Sequence, residues 1–311
     1  MTAMAAPARP VNRRRVKPER LALHAFLIAI SLLWLFPLLW AVYTSFRTYD
    51  ETAKQGYVSV IQSPTVQNFA DAWTGADLPH YYINTLIVVV PALLLVLFLA
   101  SMVAFAVSRF SWRFNLLLLM VFTAGNLLPP QVMITPLYRI YLALPLPNIA
   151  QFVFGADNHL AVFSDNGLWY DQFFGIVAIH VAFQLGFCTF VLSNYFKTLP
   201  KELTEAALVD GASVWRVYWQ VTMPLARPPL AALATLEFTW IYNDFFWAII
   251  LMRTGSKLPV TSGLNNLAGE FFTNNNLLAA GALLVALPTL IVYFALQRQF
   301  ISGLTLGSTK G

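Results

Sequence analysis

Few groupings in this sequence could do chemistry. Glu237, Trp240, Ile241 and Asp244 stand at i, i+3, i+4 and i+7, so on a continuous helix two carboxylates and an indole share one face. Carboxylates that accept hydroxyls beside a flat aromatic are sugar-recognition chemistry, which makes Glu237, Trp240, Asn243 and Asp244 candidates for contact with a solute along a pathway. The other open reading is that Asn243 and Asp244 brace this chain against a second one. His180 and Gln184 lie one helical turn apart, a spacing a metal site could use. No carboxylate or second histidine accompanies them, so a histidine hydrogen-bonded to a neighbouring helix is expected, and no metal site. Ser193 and His180 make no credible nucleophile and base. Cys188 is the only cysteine, which excludes an internal disulfide and a cysteine-built metal site. ATP hydrolysis needs a phosphate-cradling Gly-x4-Gly-Lys-Ser/Thr loop, and Gly255-Ser256-Lys257 lacks its first glycine. No catalytic residue and no cofactor held by this chain are expected.

The elements that must position these residues are apolar. Of 311 residues 58% are hydrophobic and 11% charged, against roughly 25% charged in an ordinary soluble domain. Six apolar blocks, 21–46, 82–107, 114–138, 172–196, 228–252 and 277–296, each reach the length of about 20 residues that crosses a bilayer as helix. Charges fall between the blocks, where water can solvate them. Residues 1–20 form a basic arm with Arg9, Arg13, Arg14, Arg15, Lys17 and Arg20. The apolar run after it is too long for a secretory signal and has no small-residue cleavage site, so it reads as a retained first span. Placing the arm in the cytoplasm puts fourteen of the nineteen Lys and Arg on that side, which supports six spans with both termini cytoplasmic. The positive net charge therefore reports topology, and a nucleic-acid partner has little support. The expected fold is an all-α membrane protein.

Between the blocks, 47–81 is rich in Asp, Gln, Pro and Gly and reads as an outer loop with little structure of its own. The turn-rich segment 142–171 reads as an exposed outer lobe. Pro129, Pro130 and Pro136 beside Gly125 and Asn126 predict a kinked or broken third span, facing either a pathway or a packed neighbour. The inner segment 197–227 predicts a short helix, a glycine turn and a second short helix. Pro200 suits a first turn, Glu202 its positive end, Gly211 a left-handed closure, Ser213 a cap, and Pro224 the far limit. On the second helix Val214, Val217, Tyr218 and Val221 share one face and Trp215 and Trp219 another. A helix apolar on two faces is wedged against the membrane domain, a partner, or both.

At this loop the sequence resembles a known family. Glu205-Ala206-Ala207, three residues, Gly211, nine residues, Val221, two residues and Pro224 is similar to the "EAA" loop of permeases of ATP-binding-cassette (ABC) importers. Valine stands at the usual isoleucine position and Met223 where leucine usually precedes the proline. Tyr82-Ile83-Asn84-Thr85, Ala104 to Arg109, Tyr242-Asn243-Asp244-Phe245 and the tail from Phe300 through Gly303, Gly307 and Lys310 resemble the carbohydrate-uptake branch. The outer lobe before the fourth span departs from it by its length.

The resemblance implies a type I importer transmembrane domain over 21–311 in a bacterial or archaeal cell membrane. It implies a second permease subunit, a dimer of ATPase subunits that bind ATP and Mg, an extracytoplasmic solute-binding protein, and a sugar or oligosaccharide as cargo, with lipid around the helices. Glu205, Ala206, Ala207, Asp210, Gly211 and Pro224 would then form the coupling element. The two alanines would allow close approach, and Glu205 would contact the ATPase or cap within the hairpin. Other readings are a permease for another small polar solute, a secondary transporter, which has no need of such a loop, and an intramembrane enzyme, which lacks a nucleophile beside a base.

Overall fold

A computed structural model describes residues 18–144, 168–267 and 273–305. Residues 1–17, most of the 142–171 lobe, and Gly307 and Lys310 of the tail lie outside the described residues. Helix dominates, with no strand among the described residues, and an isolated bridge joins Arg47 and Pro64.

The chain runs α1 (Pro18–Ser45), α2 (Tyr49–Gln55), α3 (Gln67–Gly75), α4 (Leu78–Arg109), α5 (Asn115–Leu127), α6 (Pro130–Ala143) and α7 (Phe173–Thr198). It continues with α8 (Lys201–Val209), α9 (Val214–Val217), α10 (Arg227–Tyr242), α11 (Phe246–Leu251), α12 (Val260–Gly263) and α13 (Asn275–Thr305). Among the described residues α1, α4, α7 and α13 are each long and apolar enough to span a membrane, and α5 with α6 passes as a pair bent by 100°. The break expected in the third block falls at Leu128 and Pro129, where Pro129 and Pro130 can donate no backbone N–H.

Two expectations are corrected. The block 228–252 is not one helix: α10 covers 16 residues, about 24 Å at 1.5 Å each, and ends at Tyr242. Local polar groups win over helix continuation there. The Asn243 amide donates to Thr239 O at 2.8 Å, and Asp244 Oδ1 accepts from Trp247 N at 3.2 Å, capping α11. The segment 47–81, expected to have little structure of its own, holds α2 and α3. Arg47, 1% exposed, ties it together by pairing with Glu51 at 3.3 Å and donating to Gly56 O, Tyr57 O and Ser59 Oγ. Burial alone would raise the Glu51 carboxyl. The amides of Gln62 and Ser63 and the Arg47 guanidinium outweigh it and hold the group below its usual range.

The scaffold is the close pairing of α4 and α7. Ala92, Val96, Ala100 and Ala104 recur every fourth residue on α4 and are fully buried. Small side chains let two backbones approach where lipid supplies no hydrophobic drive between helices. Cys188, Leu192 and Phe196 keep the same period on α7. At the N-terminal end of α4, Asn84 Nδ2 donates to Ser256 O and Leu258 O, and Thr85 Oγ1 accepts from Val260 N. That pair pins the segment leading into α12. At the C-terminal end Arg109 donates to Leu199 O at 3.1 Å, fixing the start of the 197–227 loop.

The long helix α13 carries Pro288, which cannot donate to Leu284 O. Tyr82 Oη donates to Leu284 O, the acceptor that the proline leaves without its helical donor, and Tyr242 Oη donates to the next carbonyl, Val285 O, both at 2.8 Å, so two neighbouring helices hold the carbonyls at the kink. Removing both hydroxyls in Tyr82→Phe/Tyr242→Phe should lower the unfolding free energy by about 1–2 kcal/mol through the exposed kink carbonyls. Thermal unfolding in detergent measures it, and an unchanged midpoint would show that the kink needs no outside donors.

Candidate functional site

The 197–227 loop forms a closed hairpin. Gly211 has φ +81°, Gly211 N donates to Leu208 O and Ala212 N to Ala207 O, each at 3.0 Å. This is the paired closure of a Schellman motif, with Ala207 and Ala212 partly buried against the core as its apolar contact. Ser213 Oγ then accepts from Arg216 N at 3.3 Å and opens α9. Past α9 the backbone widens into a π turn over Tyr218–Thr222, and Pro224 sits at the start of the short turn Met223–Leu225. A π turn at this point lets the chain absorb the missing Pro224 donor without ending the helical run.

The hairpin has a fixed root and a free surface. Val217 and Tyr218 are buried, with Tyr218 Oη 2.7 Å from Ser101 Oγ and its ring edge-on to Phe105 of α4. Trp215 stacks on the outer side of Tyr218 at 5.5 Å. Leu203, Val209, Val214, Trp215 and Trp219 stay exposed around Glu205, Ala206, Asp210 and Gly211. Val214, at the first position of α9, stays exposed although Val217 on the same face is buried. Glu205 makes no hydrogen bond to a described residue, so its carboxylate is presented outward and is not used as a cap within the hairpin.

The break after Tyr242 redistributes the four residues expected to share a face. Glu237 is fully buried against α7, where Cys188 Sγ donates to its Oε1 at 3.2 Å. Asn243 turns back onto Thr239. Trp240, 60% exposed, and Asp244 line a cavity of about 560 Å³ with Asn126, Gln131, His180 and Gln184. The expectation that no carboxylate accompanies His180 is overturned: Asp244 Oδ2 lies 3.4 Å from His180 Nε2. The two residues are far apart in sequence, and only the interruption of the helix aims Asp244 at α7.

A polar anchor with no sequence signal stands just before α7. Asp171 adopts φ +62°, and its carboxylate accepts from Arg253 N, Thr254 N and Thr254 Oγ1 at 2.8, 2.8 and 2.6 Å. Lys257 Nζ donates to Asp171 O at 3.1 Å. Partial burial pushes the carboxyl up, but the Thr254 and Arg253 donors and Lys257 outweigh it and hold it below the usual range. A carboxyl depressed on folding contributes stability in full above its unfolded value near ~4 and loses it as pH falls through the folded value. Asp171→Asn should therefore be less stable than the parent at pH 7, with the difference shrinking below about pH 4. Thermal midpoints across pH 3–7 test this, and a pH-independent difference would count against the charge.

The family model described as "Binding-protein-dependent transport system inner membrane component" matches residues 96–305. The chain is 32% identical to the diacetylchitobiose uptake system permease protein NgcG of Streptomyces coelicolor, over 92% of this chain and 88% of that protein. It is 28% identical to the osmoprotective compounds uptake permease protein GgtD of Synechocystis, over 96% and 95%. Among solved structures, a subunit of a bacterial ABC transporter involved in import of the acidic polysaccharide alginate superposes with a TM-score of 0.73. That match covers 92% of this chain and 99% of the other at 21% identity, which shows a shared fold.

Proposed function

Since the chain belongs to the family of inner-membrane components of binding-protein-dependent transport systems, we propose that it is one of two permease subunits of an ABC importer for a sugar or oligosaccharide. Separate ATPase subunits bind ATP and Mg and drive it, and an extracytoplasmic solute-binding protein delivers the cargo. The hairpin 197–227 is the coupling element: Glu205, Ala206 and Ala207 are its contact face, Asp210 and Gly211 its turn, and Pro224 its far limit. Both termini and this hairpin lie in the cytoplasm. Trp240 and Asp244 belong to the wall of the translocation pathway, and Glu237 and Asn243 support it from behind.

The observation that carries this reading is the hairpin. It is rooted in α4 by Tyr218 and closed at Gly211, yet it keeps two tryptophans and several aliphatic side chains exposed around an unpaired glutamate. An apolar surface of that kind on a charged inner loop calls for a protein partner. Saccharide cargo is supported by the name of the Streptomyces relative. The Synechocystis relative favours a second reading, another small polar solute.

The test is to purify the assembled transporter, reconstitute it with its binding protein, and measure ATP hydrolysis and uptake with neutral saccharides and with small osmolytes. Saccharide-stimulated hydrolysis is expected, and stimulation by osmolytes alone would shift the cargo. On cells, cysteines at Lys54 and Lys201 in a Cys188→Ser background should label with an impermeant reagent from outside and only after permeabilisation, respectively. External labelling at Lys201 would overturn the orientation.

A further inference from the structure

The cavity bounded by the α5–α6 break, α7 and the α10–α11 break has a polar floor that its own protein neighbours leave incompletely bonded. His180 is 4% exposed, and its Nε2 lies 3.4 Å from Asp244 Oδ2, yet neither atom has a hydrogen-bond partner of good geometry. Gln184, one turn further along α7 and 9% exposed, makes no hydrogen bond to a described residue and lines the same cavity. Buried polar groups without partners are costly and call for an occupant. Around this floor stand the Trp240 ring, the Gln131 amide and Asn126, whose Nδ2 is used by Phe122 O while its Oδ1 is left.

This set has a definite chemical character. Nε2 and Oδ2 are both buried, and when the pair parts a hydroxyl admitted from the cavity accepts from Nε2 and donates to Oδ2, which neither a methyl nor a protonated amine does. The amides of Gln184, Gln131 and Asn126 offer donors and acceptors to further hydroxyls, and an indole face suits the C–H side of a sugar ring. His180 and Asp244 are the only ionisable residues among those lining the cavity, and no Lys or Arg is there to neutralise an incoming carboxylate. The volume of about 560 Å³ lies within the range of about 300–1,000 Å³ usual for small-ligand sites.

We propose that His180, Gln184 and Asp244, with Trp240, form a subsite for neutral saccharides, in which one hydroxyl is held between the imidazole and the carboxylate and acidic saccharides are turned away. The inference rests on the reading of the chain as a saccharide permease and adds to it the residues and the charge class. Asp244 Oδ1 is committed to capping α11, and Oδ2 is left for cargo. Asp244→Asn keeps the Oδ1 cap and removes only the charge, so it probes the subsite without unmaking the break.

The experiment uses the complete transporter in proteoliposomes with saturating binding protein, and all rates are normalised to assembled complex. The probes are N,N′-diacetylchitobiose, cellobiose and maltotriose, with digalacturonate as the acidic comparison. Gln184→Leu and Asp244→Asn should each lower the turnover of the neutral saccharide that wild type carries by roughly tenfold or more, the scale of one lost hydrogen bond to a charged or buried group. Digalacturonate binding to solubilised complex, measured by equilibrium dialysis without binding protein, should be absent in wild type and appear in Asp244→Asn. A purely structural role for Asp244 would not produce that gain. Wild-type turnover per complex in both variants, with digalacturonate still excluded from Asp244→Asn, overturns the subsite. Failure of wild type to carry any of the saccharides overturns the underlying reading as well, so the two failures are told apart.

Discussion

Gly211→Val is expected to insert into the membrane normally and to lose transport. Gly211 sits at φ +81°, and a Cβ built there meets nothing within 4 Å, so the whole penalty is conformational. A β-branched residue in the left-handed region costs about 1–2 kcal/mol, which is enough to let the turn reopen and to release the two Schellman hydrogen bonds to Leu208 O and Ala207 O. The buried core of the loop, from Val217 to Phe105, lies beyond that turn and stays packed. Insertion and overall folding should therefore survive while α8 and α9 lose their mutual angle. Uptake is expected to fall by about tenfold or more, with weaker co-purification of the ATPase. Gly211→Asn, which tolerates the left-handed region, should retain most of the uptake. Full uptake with normal ATPase recovery in Gly211→Val would remove the hairpin from the coupling role. An equal loss in Gly211→Asn would mean that the position is sensitive to side-chain bulk and not to backbone angle.

This hairpin was legible in the sequence because its signals are local. Pro200, Gly211, Ser213 and Pro224 each act on the backbone within a few residues, and the structure uses Gly211 and Ser213 in the expected way, as closure and cap. The long spans α1, α4, α7 and α13 were legible for a similar reason, since length and apolar composition suffice to mark them. The break at Pro129 and Pro130 was written in the missing donors. By contrast, the interruption after Tyr242 depends on side-chain hydrogen bonds from Asn243 and Asp244 competing with helix continuation, and periodicity alone assumes that the helix goes on.

Once that assumption fails, the rest of the expected constellation moves with it. Glu237 turns to Cys188, and Asp244 turns to His180, on a helix far away in sequence. Long-range pairings of this sort leave no spacing to read. The same applies to Asp171, whose role depends on the 253–257 segment folding back over it, and to Arg47, whose burial depends on the backbone carbonyls of Gly56 and Tyr57. Composition pictured 47–81 as a loop because Asp, Gln, Pro and Gly are common in loops. An arginine with enough carbonyl partners can nevertheless organise such a segment around itself.

Gly186→Ala tests how tightly the broken span is held against the scaffold. Gly186 is buried on α7, and a Cβ there would stand 2.6 Å from Asn126 Nδ2, 2.7 Å from Phe122 O and 3.1 Å from Phe122 C. Two of those atoms are α5 backbone, which cannot rotate aside as a side-chain tip can. The helix itself must retreat from α7, carrying Asn126 away from the cavity it lines. Overpacking of this kind costs about 1–3 kcal/mol. Gly186→Ala should therefore lower the unfolding midpoint and, per assembled complex, the transport rate, with Gly186→Leu more severe in both. Gly125→Ala is the control on α5 itself: a Cβ at Gly125 meets nothing within 4 Å, and the gain in helix propensity over glycine is worth up to about 1 kcal/mol. That variant should be as stable as the parent or slightly more so, with transport retained. If Gly186→Ala matches the parent in both measurements, α5 is free to move on α7 at little cost, and the wall around Asn126 is not set by that contact.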